Sequence, residues 1–141
     1  MKTLLALIAA VSALGFAASA MAAPSQLTVH GSSYGRVLFD GRGFALYAFT
    51  KDAHGRSSCS GACAKAWPPY IVPTRVTAGT GAKSSLLGTI KRSDGRLQAT
   101  YAGKPLYYYV GDRKPLQILC QNVNEFGGLW LVIRPDGALV R

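Results

Sequence analysis

Acidic residues are scarce in this 141-residue chain: Asp and Glu total 6 against 16 Lys and Arg, a formal net charge of +10. Glu125 is the only glutamate, and Asp40, Asp94 and Asp136 each precede a glycine in turn contexts. Hydrolysis by a carboxylate pair therefore has few candidates. Histidine is limited to His30 and His54, and beyond the start Met21 is the only methionine. No Gly-x-Ser-x-Gly elbow occurs, and no glycine-rich phosphate loop opens a helix. Cysteine is limited to Cys59, Cys63 and Cys120. The Cys-x-x-Cys spacing of thioredoxin-like redox proteins is absent, as is a βαβ pattern to carry it. Basic residues are numerous but dispersed, with Lys91-Arg92 and Arg113-Lys114 the longest runs. No nucleic-acid motif accompanies them. These absences argue against an enzyme and suggest no cofactor.

The amino terminus reads as an export signal. Lys2 supplies a positive start, Leu4 to Ala18 is an apolar run, and small residues place cleavage after Ala20 or Ala22. Residues 1–22 are thus expected to be a signal peptide. No later segment is apolar enough to span a bilayer. Residues 23–141 form one domain of ordinary size. Without Lys2, 15 Lys and Arg face 6 Asp and Glu. Such a surface attracts anionic envelope components. The expected location is the periplasm or the extracellular space.

Against this sparse background stands an internal repeat. Residues 33–52 and 93–112 align without a gap at an offset of 60. Ser33/Ser93, Gly35/Gly95, Gly43/Gly103, Leu46/Leu106, Tyr47/Tyr107 and Asp52/Asp112 are among the identities. A repeat of this kind sets architecture before it says anything of chemistry. Turn signals divide the repeat into short strands. Residues 36–49 read as a hairpin around Asp40-Gly41, and 96–110 as its copy around Ala102-Gly103. Residues 129–140 read as a third hairpin around Pro135-Asp136-Gly137. Leu27-Thr28-Val29 and Tyr70-Ile71-Val72 read as further short strands. Residues 53–66 are a small-residue loop with room for one helical turn, 73–88 a connector, and 113–128 a second loop. Each half, at about 33–72 and 93–137, ends in a tryptophan-led strand. One half has too few strands to bury its own face. The expected fold is all-β: a small sandwich or partly open barrel of two repeats related by a pseudo-two-fold axis.

Two groups of residues are candidates for function. Tyr47 and Phe49 share one face of a strand, as do Tyr107 and Tyr109. With Asp52 and Asp112 they suit a small ligand that takes an aromatic face and a carboxylate rim, enlarged by Tyr101 and Tyr108 on the opposite faces. The same residues also suit a structural role, the aromatics packing the sheet and the aspartates fixing its corners. The cysteines allow three single-bridge pairings, each leaving one thiol. In a regular helix, residues at i and i+4 hold their Cβ atoms ~5–6 Å apart, beyond the ~3.5–4.5 Å a disulfide needs. A 59–63 bridge therefore requires irregular backbone, which Gly61 permits. Cys59 and Cys63 with His54 also form a weak metal-ligand or redox set.

The chain resembles a bacterial secreted-repeat family, the predicted lipoproteins with a Tyr-x-(aromatic)-x-x-Asp motif. The resemblance rests on Leu46 to Asp52, on Leu106 to Asp112, on the Cys59-Ser60-Gly61-Ala62-Cys63 to Trp67-Pro68-Pro69 segment, and on Asn122 to Trp130. It implies an exported envelope protein of repeated β units with no defined activity. It also implies a Cys59–Cys63 disulfide, because the family segment carries those two cysteines and no equivalent of Cys120. Cys120 is then a free thiol or the link of a dimer. The lipid-attachment cysteine that the family's name implies is missing here. The resulting expectation is a non-enzymatic binding or envelope-structural protein. The alternatives are a thiol-based metal or redox protein and a polyanion binder.

Overall fold

The computed structural model describes residues 25–141. The expected signal peptide, residues 1–22, lies outside the described residues. Among the described residues the chain folds as an all-β protein with one short α-helix, built from three open sheets that do not close into a barrel.

The opening strand β1 (Gln26–Ser32) pairs antiparallel with β2 (Gly35–Asp40) across a tight turn at Ser33-Tyr34. The first motif strand β3 (Tyr47–Phe49) follows. It does not close a regular hairpin with β2. Leu46 still donates to the Leu38 carbonyl, but β3 then crosses to another sheet. Helix α1 (Ala62–Ala66) is the single helical turn expected in the 53–66 loop. Next come β4 (Ile71–Val72), β5 (Thr77–Ala78) and β6 (Leu87–Lys91). Strand β6 corrects the reading of residues 73–88 as a bare connector. Leu87 to Lys91 alternates weakly and lacks aromatics, yet it pairs along the whole of β7 (Leu97–Tyr101). β5 adds the one parallel pair among the described strands, against β1. The second hairpin closes through β8 (Lys104–Pro105), then β9 (Val123–Glu125) and β10 (Gly128–Val132) complete the chain. The third hairpin forms as expected: Arg134 N–H bonds Ala138 O and Val140 N–H bonds Val132 O.

The sheets are ordered β2-β1-β5, β3-β10-β9 and β4-β7-β6, with β8 on β7. The motif strand is buried throughout, because its two faces meet two different cores. Leu46 and Ala48 join Leu27, Leu38, Leu106 and Ile133 in an aliphatic core. Tyr47 and Phe49 join Trp67, Tyr107, Trp130 and the Cys59–Cys63 pair in an aromatic one. Period-2 alternation here sorts aliphatic from aromatic rather than apolar from polar.

The repeat is not gapless in space. Leu46 reaches back eight residues to Leu38, whereas Leu106 reaches back seven to Ala99. The preceding turn compensates. Ser32 pairs with Gly35 around two residues, while Arg92 N–H bonds Arg96 O around three. The leading strands are therefore equivalent at an offset of 61 and the motif strands at 60. Sequence identity hides the slip because one turn gains the residue the other loses. Trp67 is also not strand-led: it caps the carboxyl end of α1, while its counterpart Trp130 lies within β10.

Candidate functional site

The two motifs meet at the centre of the molecule. Tyr47 and Tyr107 pair antiparallel, each N–H bonding the other's carbonyl at 2.9 Å. The pseudo-two-fold axis passes between them. Because the two strands run oppositely, each tyrosine points toward the corner that ends the other motif. The Tyr47 hydroxyl donates to Asp112 Oδ2 at 2.6 Å, and the Tyr107 hydroxyl donates to Asp52 Oδ2 at 2.7 Å. The motifs thus exchange partners: the tyrosine of each is held by the aspartate of the other.

The aspartates do the same local work. Asp52 N–H bonds Phe49 O, and Asp112 N–H bonds Tyr109 O, which closes each corner. Asp52 Oδ1 accepts from Ser58 N–H at 2.7 Å, and Asp112 Oδ1 from Leu119 N–H at 2.9 Å. Each carboxylate thereby links a strand end, a loop and the opposite repeat. Burial raises both carboxyl pKa values above the ordinary 3.8, and the donated bonds pull the other way. Burial, reinforced by the Asp112 bond, also raises the Tyr47 phenol. For Tyr107 burial is again the main cause of a raised pKa.

Around this pair lies a symmetric aromatic cluster. Trp67 and Trp130 stack with centroids 4.1 Å apart at 4°. Phe49 stacks on the outer face of Trp130, also at 4.1 Å, and Tyr109 tilts against Trp67 at 4.8 Å. Tyr47 meets Trp67 edge-on and Tyr107 meets Trp130 edge-on. Each aromatic pairing in one half has its counterpart in the other. Such pairs contribute ~0.5–1.5 kcal/mol each beyond area burial. The lone glutamate serves both indoles: Trp67 Nε1–H donates to Glu125 Oε2 at 2.8 Å and Trp130 Nε1–H to Glu125 O at 3.2 Å.

This placement corrects the reading of an open aromatic face. Tyr47 and Tyr107 are wholly buried, Phe49 is 4 % exposed and Asp112 is 7 % exposed. Asp52 and Tyr109 are half-buried at the rim. Tyr101 does not enlarge an exposed surface either. It is buried, and its hydroxyl bridges Lys83 N–H and Pro135 O. Tyr108 is half-buried and donates to Asp40 Oδ2. Of the residues identical in both copies, Leu46, Tyr47, Leu106 and Tyr107 lie in the core beside the axis, whereas Ser33, Gly35, Ser93 and Gly95 lie in exposed turns.

The cysteines lie at the edge of the aromatic core. Cys59 and Cys63 form a disulfide, with Cα atoms 5.3 Å apart. The backbone there is irregular, as the spacing argument requires. The helix starts only at Ala62, after Gly61 at φ 56, a conformation that glycine adopts without strain. The bridge leaves neither sulfur as a thiolate, so the Cys59, Cys63 and His54 ligand set is not formed. His54 instead lies against Gly103, where a side chain would collide with its ring. Cys120 is a half-exposed free thiol. Because Ser58 and Leu119 make equivalent bonds, Cys120 stands at the position of Cys59 in the second half. Asn124, where Cys63 would be repeated, lies in a strand rather than a helix.

One further group carries no signal in the sequence. Arg92 lies under the disulfide loop, its side chain 7 % exposed. Its guanidinium donates to Ser57 Oγ at 3.0 Å, Gln98 Oε1 at 2.7 Å and Cys59 O at 2.7 Å. Ser57 Oγ lies 2.6 Å from the Tyr107 hydroxyl, whose one proton goes to Asp52, so Ser57 is the donor there. Gln98, fully buried, donates onward to Leu106 O. In the sequence Arg92 stands out only as half of the basic pair Lys91-Arg92, because its partners Ser57, Cys59 and Gln98 lie outside that pair.

Several clefts open on the surface of the described residues, including three of about 310 Å³ or more. One of about 310 Å³ is bordered by Asp52, His54, Gly103 and Lys104. A second of about 310 Å³ lies between the 55–60 loop and the 90–93 turn. The third, of about 600 Å³, is lined by Tyr70, Tyr108, Pro68, Pro69 and Arg42. All six carboxylates already accept hydrogen bonds within the protein. By contrast, only Arg42, Arg92 and Arg96 come within 4.0 Å of a carboxylate among the described residues. Among the described residues no helix is long and apolar enough to cross a membrane, and no cluster of three metal-ligating side chains occurs.

No curated protein and no solved structure matches the chain. One family does, and it matches twice, over residues 28–70 and again over residues 88–134, the two halves that exchange tyrosine and aspartate across the axis. The chain belongs to that family, described as a secreted repeat of unknown function.

Proposed function

We propose that this protein is a non-enzymatic binding or structural component of the cell envelope, exported to the periplasm or beyond, and that its partner is anionic. One observation carries the reading. Every carboxylate is engaged inside the protein, whereas most basic side chains reach solvent without an ion pair. The exposed charge is therefore predominantly cationic, with Asp94, Glu125 and Asp136 the exposed carboxylate residues, which favours acidic glycans and similar partners. The motif residues support the non-enzymatic part. Tyr47, Tyr107, Asp52 and Asp112 hold the two halves together, and Ser57 Oγ is fully occupied: it donates to the Tyr107 hydroxyl and accepts from Cys59 N–H and from Arg92. A hydroxyl so placed is a poor nucleophile.

The test is retention of the purified domain on immobilised polygalacturonate against neutral dextran. Retention at low salt that falls steeply as salt rises supports the proposal. Equal passage through both columns at low salt overturns it. A thiol-based metal or redox role would require the Cys59–Cys63 bridge to open under mild reductant, which free-thiol counting by alkylation and intact mass would reveal.

A further inference from the structure

We infer that the cleft between the 55–60 loop and the 90–93 turn is a discrete site for an oxyanion carried on a small polar unit, such as a phosphorylated or carboxylated sugar. The inference rests on the binding reading above and sharpens it from a diffuse surface to a place.

The first argument is the state of Arg92. A buried guanidinium is costly unless a bonded counter-charge compensates it. The three acceptors bonded to Arg92 are all neutral: a serine hydroxyl, an amide oxygen and a backbone carbonyl. Its Nε–H has no hydrogen-bond partner and lies 4.0 Å from Asp94 Oδ2. Asp94 is itself turned to Arg96, which it holds through two side-chain bonds. The half-buried carboxylate on the other side, Asp52, is separated from Arg92 by the Ser57 and Tyr107 hydroxyls. A positive charge is thus fixed beneath the cleft without a directly bonded anion.

The second argument is the lining. Arg56 and Lys91 stand at the mouth, exposed and without ion pairs among the described residues. Ser58, Ser60 and Ser93 add hydroxyls, and no carboxylate lines the cleft. Charge-assisted bonds from several cations, with hydroxyls beside them, are the usual chemistry of oxyanion recognition. The volume, about 310 Å³, falls at the small end of ligand sites of ~300–1,000 Å³. It exceeds the need of a bare oxyanion and leaves room for one attached ring. The disulfide fixes the loop that forms one wall, so the site is preorganised.

The experiment titrates inorganic phosphate, glucose 6-phosphate and glucose into the ¹⁵N-labelled domain at low ionic strength. Saturable shifts at Gly55, Ser58, Ser60 and Ser93 with both phosphates, and none with glucose, support the site. Tighter binding of glucose 6-phosphate identifies a sugar-borne oxyanion, and equal binding identifies the free one. Two double variants then remove the same charge from different places. Arg56→Gln/Lys91→Gln should weaken phosphate binding by at least about tenfold, the loss of one charge-assisted bond or more. Lys83→Gln/Arg134→Gln, equally exposed but outside the cleft, should leave it within about twofold. Equal losses in the two doubles, or no saturable shift at those residues, would overturn the site. Polygalacturonate retention that survives those same overturning results would leave the diffuse cationic surface standing while the cleft falls.

Discussion

The two halves of this protein agree at the centre and part company at the rim. On one side of the axis Tyr107 reaches Asp52, and behind it stand Ser57, Arg92, Gln98 and the Cys59–Cys63 bridge. On the other side Tyr47 reaches Asp112, and behind it stand Leu119 and the unpaired Cys120. The equivalent of buried Gln98 in the first half, one residue beyond the 60-residue repeat offset, is Val37. The same hydroxyl–carboxylate bond is thus backed by a polar network in one copy and by apolar packing in the other. Symmetry is retained where the copies touch each other, because a change there must suit both. It is lost in the loops that follow the two motifs, residues 53–66 and 113–122, and there a binding site can develop.

The centre should be the more fragile region. Trp67→Ala and Trp130→Ala should each cost about 3–5 kcal/mol, as for other buried aromatic truncations. Trp67→Ala should be the worse, because the Trp67 indole donates to the Glu125 carboxylate at 2.8 Å, a charge-assisted bond, whereas the Trp130 indole donates to the Glu125 backbone carbonyl at 3.2 Å. Chemical denaturation would rank them, and a milder Trp67→Ala would contradict a stack shared equally by the halves.

The cysteines test the rim. Removing the disulfide with Cys59→Ala/Cys63→Ala should cost roughly 2 kcal/mol, the chain-entropy value for so short a loop. Cys120→Ala should shift stability by less than about 0.5 kcal/mol, because half-exposed Cys120 supports no cross-link. Equal midpoints for the two variants would mean that the bridge adds no more than the free thiol.

The tyrosines sharpen the comparison further. Each Tyr→Phe change strips one donor from a raised-pKa carboxylate and should cost about 1–3 kcal/mol. Tyr47→Phe should cost more than Tyr107→Phe. Asp112 keeps only the Leu119 N–H, while Asp52 keeps the Ser58 N–H and hydroxyl. Thermal melts of the two variants decide the order.

The smallest effect expected is a pH dependence. Because folding raises the Asp52 and Asp112 pKa values, the folded state holds these protons more tightly than the unfolded chain. Their contribution is fully present below the ordinary value of 3.8 and is lost as pH rises through the raised folded value. Replacing both with Asn should flatten the melting temperature across that window. An unchanged slope would place the titration elsewhere.

Much of this was legible in the sequence. Glycine and aspartate marked the turns, because few other residues tolerate those backbone angles. The repeat announced two equivalent units, and Gly61 made the short disulfide geometrically possible. Strand β6 was not legible, since Leu87 to Lys91 has neither aromatics nor firm alternation and is held by its neighbour β7. Tertiary pairing overrides weak propensity in such cases. The one-residue slip between the copies was hidden as well, because the turn before each leading strand compensates for the turn after it.

Backbone angles and local periodicity, both properties of the sequence, set most of the strands, the turns and the existence of two matching halves. Which tyrosine meets which aspartate is settled only when the two halves pack. An antiparallel pairing at Tyr47 and Tyr107 carries each side chain to the opposite repeat, and no local pattern encodes that exchange. Tertiary packing also places Arg92 beneath the disulfide loop, since a buried charge takes its meaning from partners that only folding brings near.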